Sequence, residues 1–219
     1  MGREIPGRLI RLLLVRHGQT EWNSNGRFMG QMDIPLDGTG LRQVQAVAHR
    51  LRVEQPAIIY TSDLQRALHT AKYIQTAIAD YRQAPPPPLA SDARLREMYF
   101  GNWEGLTYSE IQSSQPLQLK AWEADLLNFR PPGGENLRQM GERVSEFLDE
   151  IMLAHPGETV MLVAHGGTFE ALAMVHLGFK TDKVWQLRMS NTGISEFSCY
   201  PAGATLDRWN DTGHLEGLA

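Results

Sequence analysis

Two short apolar segments, each ending in a histidine that glycine follows, constrain the fold of this 219-residue chain most strongly. The first, residues 12–15, contains only leucine and valine and leads directly into Arg16 and His17. The second, residues 159–164, leads into His165. Such segments are typical of buried parallel strands. Because the carboxyl ends of parallel strands face the ligand crevice of an open α/β sheet, we expect both imidazoles at one edge.

Composition excludes several classes of partner. The net charge is −4 and there is no basic block, which argues against nucleic acid or an anionic membrane surface as a partner. The longest apolar stretches are too short to span a bilayer, and residues 1–10 lack the apolar segment of a signal peptide. The single cysteine, Cys199, lies in an alternating, strand-like segment and cannot form an intrachain disulfide. We therefore expect a cytoplasmic protein.

Strand-like and helix-like segments alternate along the chain. We expect strands at about residues 12–15, 57–61, 89–95 and 159–164, and a closing pair at about 194–200 and 205–209 joined by a turn at 201–203. Helices with one apolar face fill the intervals, and Ser62 or Asp63 is expected to cap the helix after the second strand. This order predicts one α/β domain, a three-layer α/β/α sandwich with a mainly parallel sheet carrying an antiparallel edge strand.

Two further charged residues fall near the predicted strand ends. Arg66 lies in the first turn of a helix, where the macrodipole disfavours a cation unless an anion is close. Glu97 follows the predicted third strand. Either residue alone would be an ordinary surface group, but the set suggests chemistry on an anion. A nucleotide-dependent enzyme is disfavoured, because no phosphate-binding Gly-Lys loop or dinucleotide glycine fingerprint follows the first strand.

Five ordered motifs surround these residues. They are LVRHGQTEWN at 14–23, SDLQRA at 62–67, LRE at 95–97 followed by FGNWEG at 100–105, GGE at 133–135, and VAHGG at 163–167. In content and order the chain resembles the histidine phosphatase superfamily, the family of phosphoglycerate mutase-like enzymes. The resemblance runs from residue 11 to about residue 197, nearly the whole chain.

The resemblance implies phosphoryl transfer through a covalent phosphohistidine. His17 would be the nucleophile, with its second ring nitrogen held by a main-chain carbonyl, and Glu97 the general acid and then the base. Arg16, Arg66 and His165 would surround the phosphoryl oxygens. Further phosphate or substrate contacts are expected from Asn23, Gly30 and Gly166. Neither a metal nor another cofactor is implied, because these cations supply the charge that Mg²⁺ supplies elsewhere.

Three functions remain open at this point. The segment 98–119 contains no Lys or Arg, whereas a mutase needs extra cations for a doubly phosphorylated intermediate, which favours a hydrolase of a small phosphorylated metabolite. A phosphoglycerate mutase is the alternative. A non-catalytic phosphate-binding module is disfavoured because His17 and Glu97 are both present. The resemblance also implies a possible homodimer.

Specificity is expected from the loop at residues 24–34 and from a helical lid insert at about residues 105–132. Six apolar residues there either contact the substrate or pack beneath a loop: Phe28, Met29, Met32, Trp103, Tyr108 and Trp122. Glu104 is expected to serve loop packing. The tail from residue 211 to 219 is expected to be loosely held, with His214 either solvated or reaching the lid.

Overall fold

A six-stranded sheet forms the centre of the computed structural model, which describes residues 9–177, 187–200 and 203–218. The strand order is β3-β2-β4-β1-β5-β6. Strands β1 to β4 are parallel, whereas β5 is antiparallel to β1, and β6 to β5. The strands are β1 (Ile10–Arg16), β2 (Ile58–Thr61), β3 (Leu89–Ser91), β4 (Thr159–Ala164), β5 (Ile194–Tyr200) and β6 (Gly203–Asp211). The predicted mainly parallel sheet with an antiparallel edge is confirmed.

Helices cover both faces of this sheet. Leu12 and Leu14 of β1 face a core built with α6 (Leu137–Ala154) and α7 (Gly166–Leu177). The alternate side chains of β1, Leu13 and Val15, face a second core built with α2 (Gly38–Leu51) and α3 (Gln65–Arg82). A strand buried on both faces needs apolar residues at every position, which is why residues 12–15 form an uninterrupted apolar run. Each buried leucine side chain contributes roughly 1.5–3 kcal/mol.

Two short helices occupy part of the segment between residues 105 and 132. Thr107 and Glu110 form the capping box that begins α4 (Tyr108–Ser114), and Pro116 is the first residue of α5 (Pro116–Ala124). Beneath them lies a third apolar cluster in which Trp103 and Trp122 are almost fully buried. Of the two possibilities for these tryptophans, packing beneath the insert is the one observed.

Two local predictions are wrong. The third strand ends at Ser91 rather than near residue 95, because the Asp92 side chain accepts the backbone N–H of Arg94 and begins a 3-10 turn. Neither Ser62 nor Asp63 caps the first turn of α3. Its Gln65 N–H donates instead to Asp33 Oδ1 at 2.8 Å, an acceptor distant in sequence.

Some predictions concern residues beyond those described. Residues 1–8 and the turn at 201–202 lie outside the described part of the chain. Within residues 9–177, 187–200 and 203–218, no helix is both long enough and apolar enough to cross a membrane.

Candidate active site

Adjacent parallel strands bring the two motif histidines together. In the sheet, β1 lies beside β4 with Arg16 opposite Ala164, so both strands end at the same level. His17 and His165 follow them, and their ring centroids are 5.1 Å apart at an interplanar angle of 59°. The two histidines are 148 residues apart in the sequence (165 − 17 = 148), so only the fold places these imidazoles in contact.

A cleft of about 220 Å³ opens at this edge of the sheet. Its lining includes Arg16, His17, Arg66 and Glu97, and His165 lies against His17 behind the lining. The structure therefore brings together all five residues for which the resemblance implies catalytic roles. Asn23 and Gly30 also line the cleft. Gly166 begins α7, where a Cβ would lie at an ordinary contact distance of 3.6 Å from Arg16 Nε.

The His17 ring has one fixed tautomer. Its Nδ1 lies 2.7 Å from the carbonyl oxygen of Gly18, and a carbonyl can only accept, so Nδ1 carries the hydrogen. Burial, reinforced by the positive charges of Arg66 and Arg16, holds the pKa of His17 well below its usual range. The ring is therefore neutral near pH 7, and its Nε2 lone pair is available for attack on an electrophile.

Several buried nitrogens near the cleft lack a partner. Both ring nitrogens of His165 and the Nε atoms of Arg16 and Arg66 are buried without a hydrogen-bond partner anywhere in the described residues. Leaving buried polar groups unpaired costs roughly 1–3 kcal/mol each, so several together call for an explanation. Burial, then the charges of Arg66, His17, Arg16 and Arg143, keeps the pKa of His165 well below its usual range. An anion held among these groups would satisfy them.

Arg66 is fully buried beneath the loop at residues 24–34. Its Nη1 and Nη2 donate to the carbonyl oxygens of Met32 and Gly30 at 2.7 and 2.8 Å. Burial lowers the pKa of Arg66 to about 10, opposed by the charge of Glu97. Gly30 has a φ of 54°, and a Cβ there would come within 1.9 Å of Glu104 Oε1, so a larger residue would strain the backbone and displace Glu104.

Glu104 accepts hydrogen bonds from two loops near the cleft. Its Oε1 accepts the backbone N–H groups of Gln31 at 2.8 Å and Phe100 at 3.3 Å. Burial raises the pKa of this carboxyl. These contacts are those of a loop-packing residue.

Glu97 presents its carboxylate through two main-chain contacts. Its Oε1 accepts the N–H of Met98 at 2.9 Å, and its Oε2 accepts the N–H of Gly167 at 3.2 Å. Gly167 lies in the first turn of α7, where the helix dipole favours a negative charge. The carboxylate is thus oriented by the same helix start that follows His165.

The Asn23 amide has one side fixed. It lies at the third position of the short helix α1 (Glu21–Ser24), where its Oδ1 accepts from the N–H of Thr20 and from Asn191 Nδ2, both at 3.2 Å. Because the oxygen is used in this way, the Nδ2 group is the part of Asn23 that can donate to a bound ligand.

A turn before β5 holds the end of β1, and sequence reasoning missed it. Met189 O accepts from Arg16 Nη1 at 2.5 Å, and Asn191 Nδ2 donates to His17 O at 3.0 Å. The Thr192 N–H donates to Arg16 O at 3.0 Å, although its φ of 54° is unfavourable for a β-branched residue. The polar run Ser190-Asn191-Thr192-Gly193 was the available signal for a turn at this edge.

The prediction of a loosely held tail is wrong around His214. A 3-10 turn, Gly213–Leu215, follows β6, and His214 is partly buried with Nε2 3.1 Å from Thr192 Oγ1. Asp211 pairs with Arg50 of α2 at 2.5 Å. The tail therefore packs behind the turn that holds β1, and His214 neither reaches the insert nor is fully solvated.

Apolar side chains form one wall of the cleft. Phe28, Met29 and Phe100 line it, with the Phe28 and Phe100 rings 5.0 Å apart. Met32 and Tyr108 are exposed by 45% and 43% and are absent from the lining. Arg27 lies in the lining, where its Nη1 donates to Gly105 O at 2.6 Å and to Glu110 Oε2 at 3.0 Å. Across the described ranges, no group of three or more His, Cys, Asp or Glu is arranged to hold a metal ion.

The family is decided by comparison with known proteins. A model of the histidine phosphatase superfamily (branch 1) matches residues 12–212 of this chain. The chain belongs to this superfamily.

Members of the histidine phosphatase superfamily with assigned names include both phosphatases and mutases. A glucosyl-3-phosphoglycerate phosphatase of Mycolicibacterium vanbaalenii is 37% identical over 80% of this chain and 77% of its own. A metal-independent phosphoserine phosphatase of Arabidopsis thaliana is 29% identical over 98% and 87%. The solved mycobacterial glucosyl-3-phosphoglycerate phosphatase with VO3 has a TM-score of 0.80 at 31% identity, covering 92% of this chain and 99% of that one. A probable phosphoglycerate mutase of Yersinia enterocolitica is 32% identical over 95% and 96%.

Protonation should accompany anion binding at this site. Both histidines have lowered pKa values and are neutral near pH 7, whereas a bound dianion favours the imidazolium form. Sulfate stays dianionic from about pH 5 to about pH 8, so it does not itself titrate in this range. We expect it to bind more tightly as pH falls, because the histidines then take up protons more readily. Calorimetry in buffers of different ionisation enthalpy should show uptake of a fraction of a proton near pH 7.

Two variants test whether the buried histidines are the groups that take up this proton. His165→Asn should lose most of it, whereas His69→Ala, at an exposed position on α3, should retain it. An observed heat that is the same in all buffers would show that neither buried histidine responds to the anion.

Proposed function

We propose that this protein hydrolyses phosphomonoesters of small metabolites through a phosphohistidine on His17. The observation that carries the proposal is the buried, neutral His17 ring beside His165, Arg16 and Arg66, several of whose nitrogens lack partners. A phosphoryl group spreads negative charge over its three outer oxygens, and fixed donors around them lower the barrier to its transfer. The relatives named as phosphatases support the same reaction.

The reaction has two chemical steps. In the first, Nε2 of His17 attacks phosphorus and the ester P–O bond breaks, while the carboxyl of Glu97 gives its proton to the leaving oxygen. In the second, the Glu97 carboxylate takes a proton from water, the water oxygen attacks phosphorus, and the P–N bond breaks. Inorganic phosphate leaves, and His17 and Glu97 return to their starting forms.

The small number of cations in the cleft lining favours hydrolysis over mutase activity. Arg16 and Arg66 line the cleft and are assigned to the transferred phosphoryl group, and Arg27 is the remaining Lys or Arg among the described lining residues. Arg27 forms an ion pair with Glu110 through Nη1, so a carboxylate partly offsets the charge that a second phosphoryl group would need. The apolar wall of Phe28, Met29 and Phe100 suits a leaving group with carbon surface. A small phosphorylated metabolite therefore fits best.

Product analysis tests this proposal. With 3-phosphoglycerate and a trace of bisphosphoglycerate, inorganic phosphate should exceed 2-phosphoglycerate by at least about tenfold, or about 1.4 kcal/mol between the two transfer barriers. The His17→Ala variant, purified in the same way, measures contaminating phosphatase. Rapid formation of 2-phosphoglycerate with little phosphate would make the protein a mutase. A panel including phosphoserine and sugar phosphates would then rank natural leaving groups.

The cytoplasmic location and the homodimer remain part of this proposal. The location is supported by the single cysteine, Cys199, which is buried in β5 and unpaired. The dimer is supported by the family resemblance alone, and light scattering that gives the mass of one chain at micromolar concentration would refute it.

A further inference from the structure

The GGE motif at residues 133–135 has no part in the reaction described above. Its glutamate is nevertheless connected by hydrogen bonds to the segment that carries the general acid. Glu135 forms an ion pair with Arg143 of α6, with Arg143 Nη2 2.7 Å from Glu135 Oε1 and Nε 3.2 Å from Oε2. Both side chains are largely buried, with exposed fractions of 18% for Arg143 and 15% for Glu135. A buried ion pair is weak support for stability, so the other contacts of the pair are more informative about its role.

Arg143 uses its whole guanidinium group in this region. Besides the pair with Glu135, Nη1 donates to Arg94 O at 2.6 Å and Arg96 O at 2.7 Å, and Nη2 donates to Glu97 O at 3.0 Å. These are five hydrogen bonds for the five N–H groups that an arginine has. Three of the five acceptors are carbonyl oxygens of the segment that carries the general acid.

Glu135 fixes the other side of the same segment. Its Oε1 accepts the N–H of Tyr99 at 2.9 Å, and its own N–H donates to Tyr99 O at 2.8 Å. The Arg143–Glu135 pair thus contacts the main chain before, at and after Glu97. Other side chains give this main chain fewer hydrogen bonds. Gln31 Nε2 donates to Glu97 O at 3.2 Å, and Thr168 Oγ1 donates to Arg96 O at 3.0 Å.

We infer that Arg143, held by Glu135, is a positioning residue that sets where the Glu97 carboxyl meets the leaving oxygen. The inference rests on the proposed role of Glu97 as general acid. Proton transfer requires donor and acceptor within hydrogen-bond reach, and a displacement of about 1 Å can cost roughly a hundredfold in rate. Arg143 is not itself among the described residues that line the cleft, and its bond to Glu97 is to the main-chain oxygen, so it acts through the main chain of the acid segment.

The variant that tests this inference is Arg143→Lys. Lysine keeps the positive charge, so the electrostatic environment of His165 changes little, but its ammonium cannot reproduce the planar fork. We expect kcat/KM to depend more steeply on the acidity of the leaving group across para-substituted phenyl phosphates. For the least acidic phenol it should fall about tenfold to a hundredfold, and for p-nitrophenyl phosphate less than about threefold. Acidic phenols leave without protonation, so their kcat/KM is insensitive to the position of the acid.

Two further variants distinguish a positioning role of Arg143 from a purely structural one. Arg138→Lys changes an exposed arginine on the same helix and should leave the slope unchanged. Glu135→Gln, which weakens the fork from its other end, should steepen the slope in the same direction, and it serves if Arg143→Lys does not fold. An equal loss of kcat/KM across the whole series, or no loss, would overturn the inference.

The Glu97→Gln variant separates this inference from the proposed function. If Glu97→Gln steepens the slope and Arg143→Lys does not, the positioning role of Arg143 is wrong and the acid assignment stands. If Glu97→Gln leaves the slope unchanged, the acid assignment is wrong and the inference about Arg143 falls with it.

Discussion

Replacement of His17 by alanine should abolish turnover, lowering kcat by about 10⁴-fold or more, because no other group in the described cleft can form the covalent intermediate. His165 also has a neutral ring, but it is not among the described residues that line the cleft, so it is less accessible for attack than His17. Loss of the buried His17 ring leaves the Gly18 carbonyl without its donor, which should cost roughly 1–3 kcal/mol of stability without preventing folding.

Trapping gives the direct measurement. Wild-type protein quenched in alkali during turnover of a ³²P-labelled ester should carry label that is stable in base and released in acid, as expected for a phosphorylated imidazole. The label should be absent from His17→Ala and present at wild-type level in His69→Ala. Undiminished phosphate release by His17→Ala, or label in an acid-stable form, would refute the nucleophile assignment.

The sheet edge was predictable because the strands that form it carry strong local signals. Residues 12–15 and 160–164 are buried on both faces and are therefore continuously apolar, which marks them in the sequence without any tertiary knowledge. Parallel strands in one sheet must end at the same edge, so His17 and His165 could be placed together from these segments alone. The capping residues Thr107 and Asn136 were predictable for the same local reason, since each accepts an N–H three residues later.

Side-chain hydrogen bonds to main-chain groups of distant segments were not predictable. Asp33 caps α3 and Arg143 holds the carbonyl oxygens of the Glu97 segment, and in both cases the partner is more than 30 residues away. Nothing in the sequence near Arg143 distinguishes it from Arg138, one of which binds the acid segment while the other binds Asn128. The sequence also left two roles open for Trp103 and Trp122, substrate contact and packing, because burial depends on what packs over them.

Replacement of Glu97 by glutamine should lower kcat/KM for alkyl phosphates by about 10²–10⁴-fold, the usual contribution of a general acid. Glutamine keeps the size of the side chain but cannot donate a proton to the leaving oxygen or take one from water. Its amide also offers one acceptor oxygen where the carboxylate offers two, so either Met98 or Gly167 loses its acceptor. The variant should still fold and still bind phosphate, because Arg16, Arg66 and both histidines remain.

Glu104 provides the matched control because it is a second carboxyl close to the cleft, bonded to the lining residue Phe100. Its Oε1 accepts from Gln31 and Phe100, and glutamine can keep one acceptor oxygen in that place, so Glu104→Gln should lose less than about tenfold in kcat/KM. A second difference concerns the two chemical steps. Glu97→Gln should slow both phosphorylation of His17 and release of phosphate from it, so label should persist on the protein after a single turnover. If Glu104→Gln instead shows the larger loss and the persistent label, the roles of the two carboxyls are exchanged, and Glu104 is the proton donor.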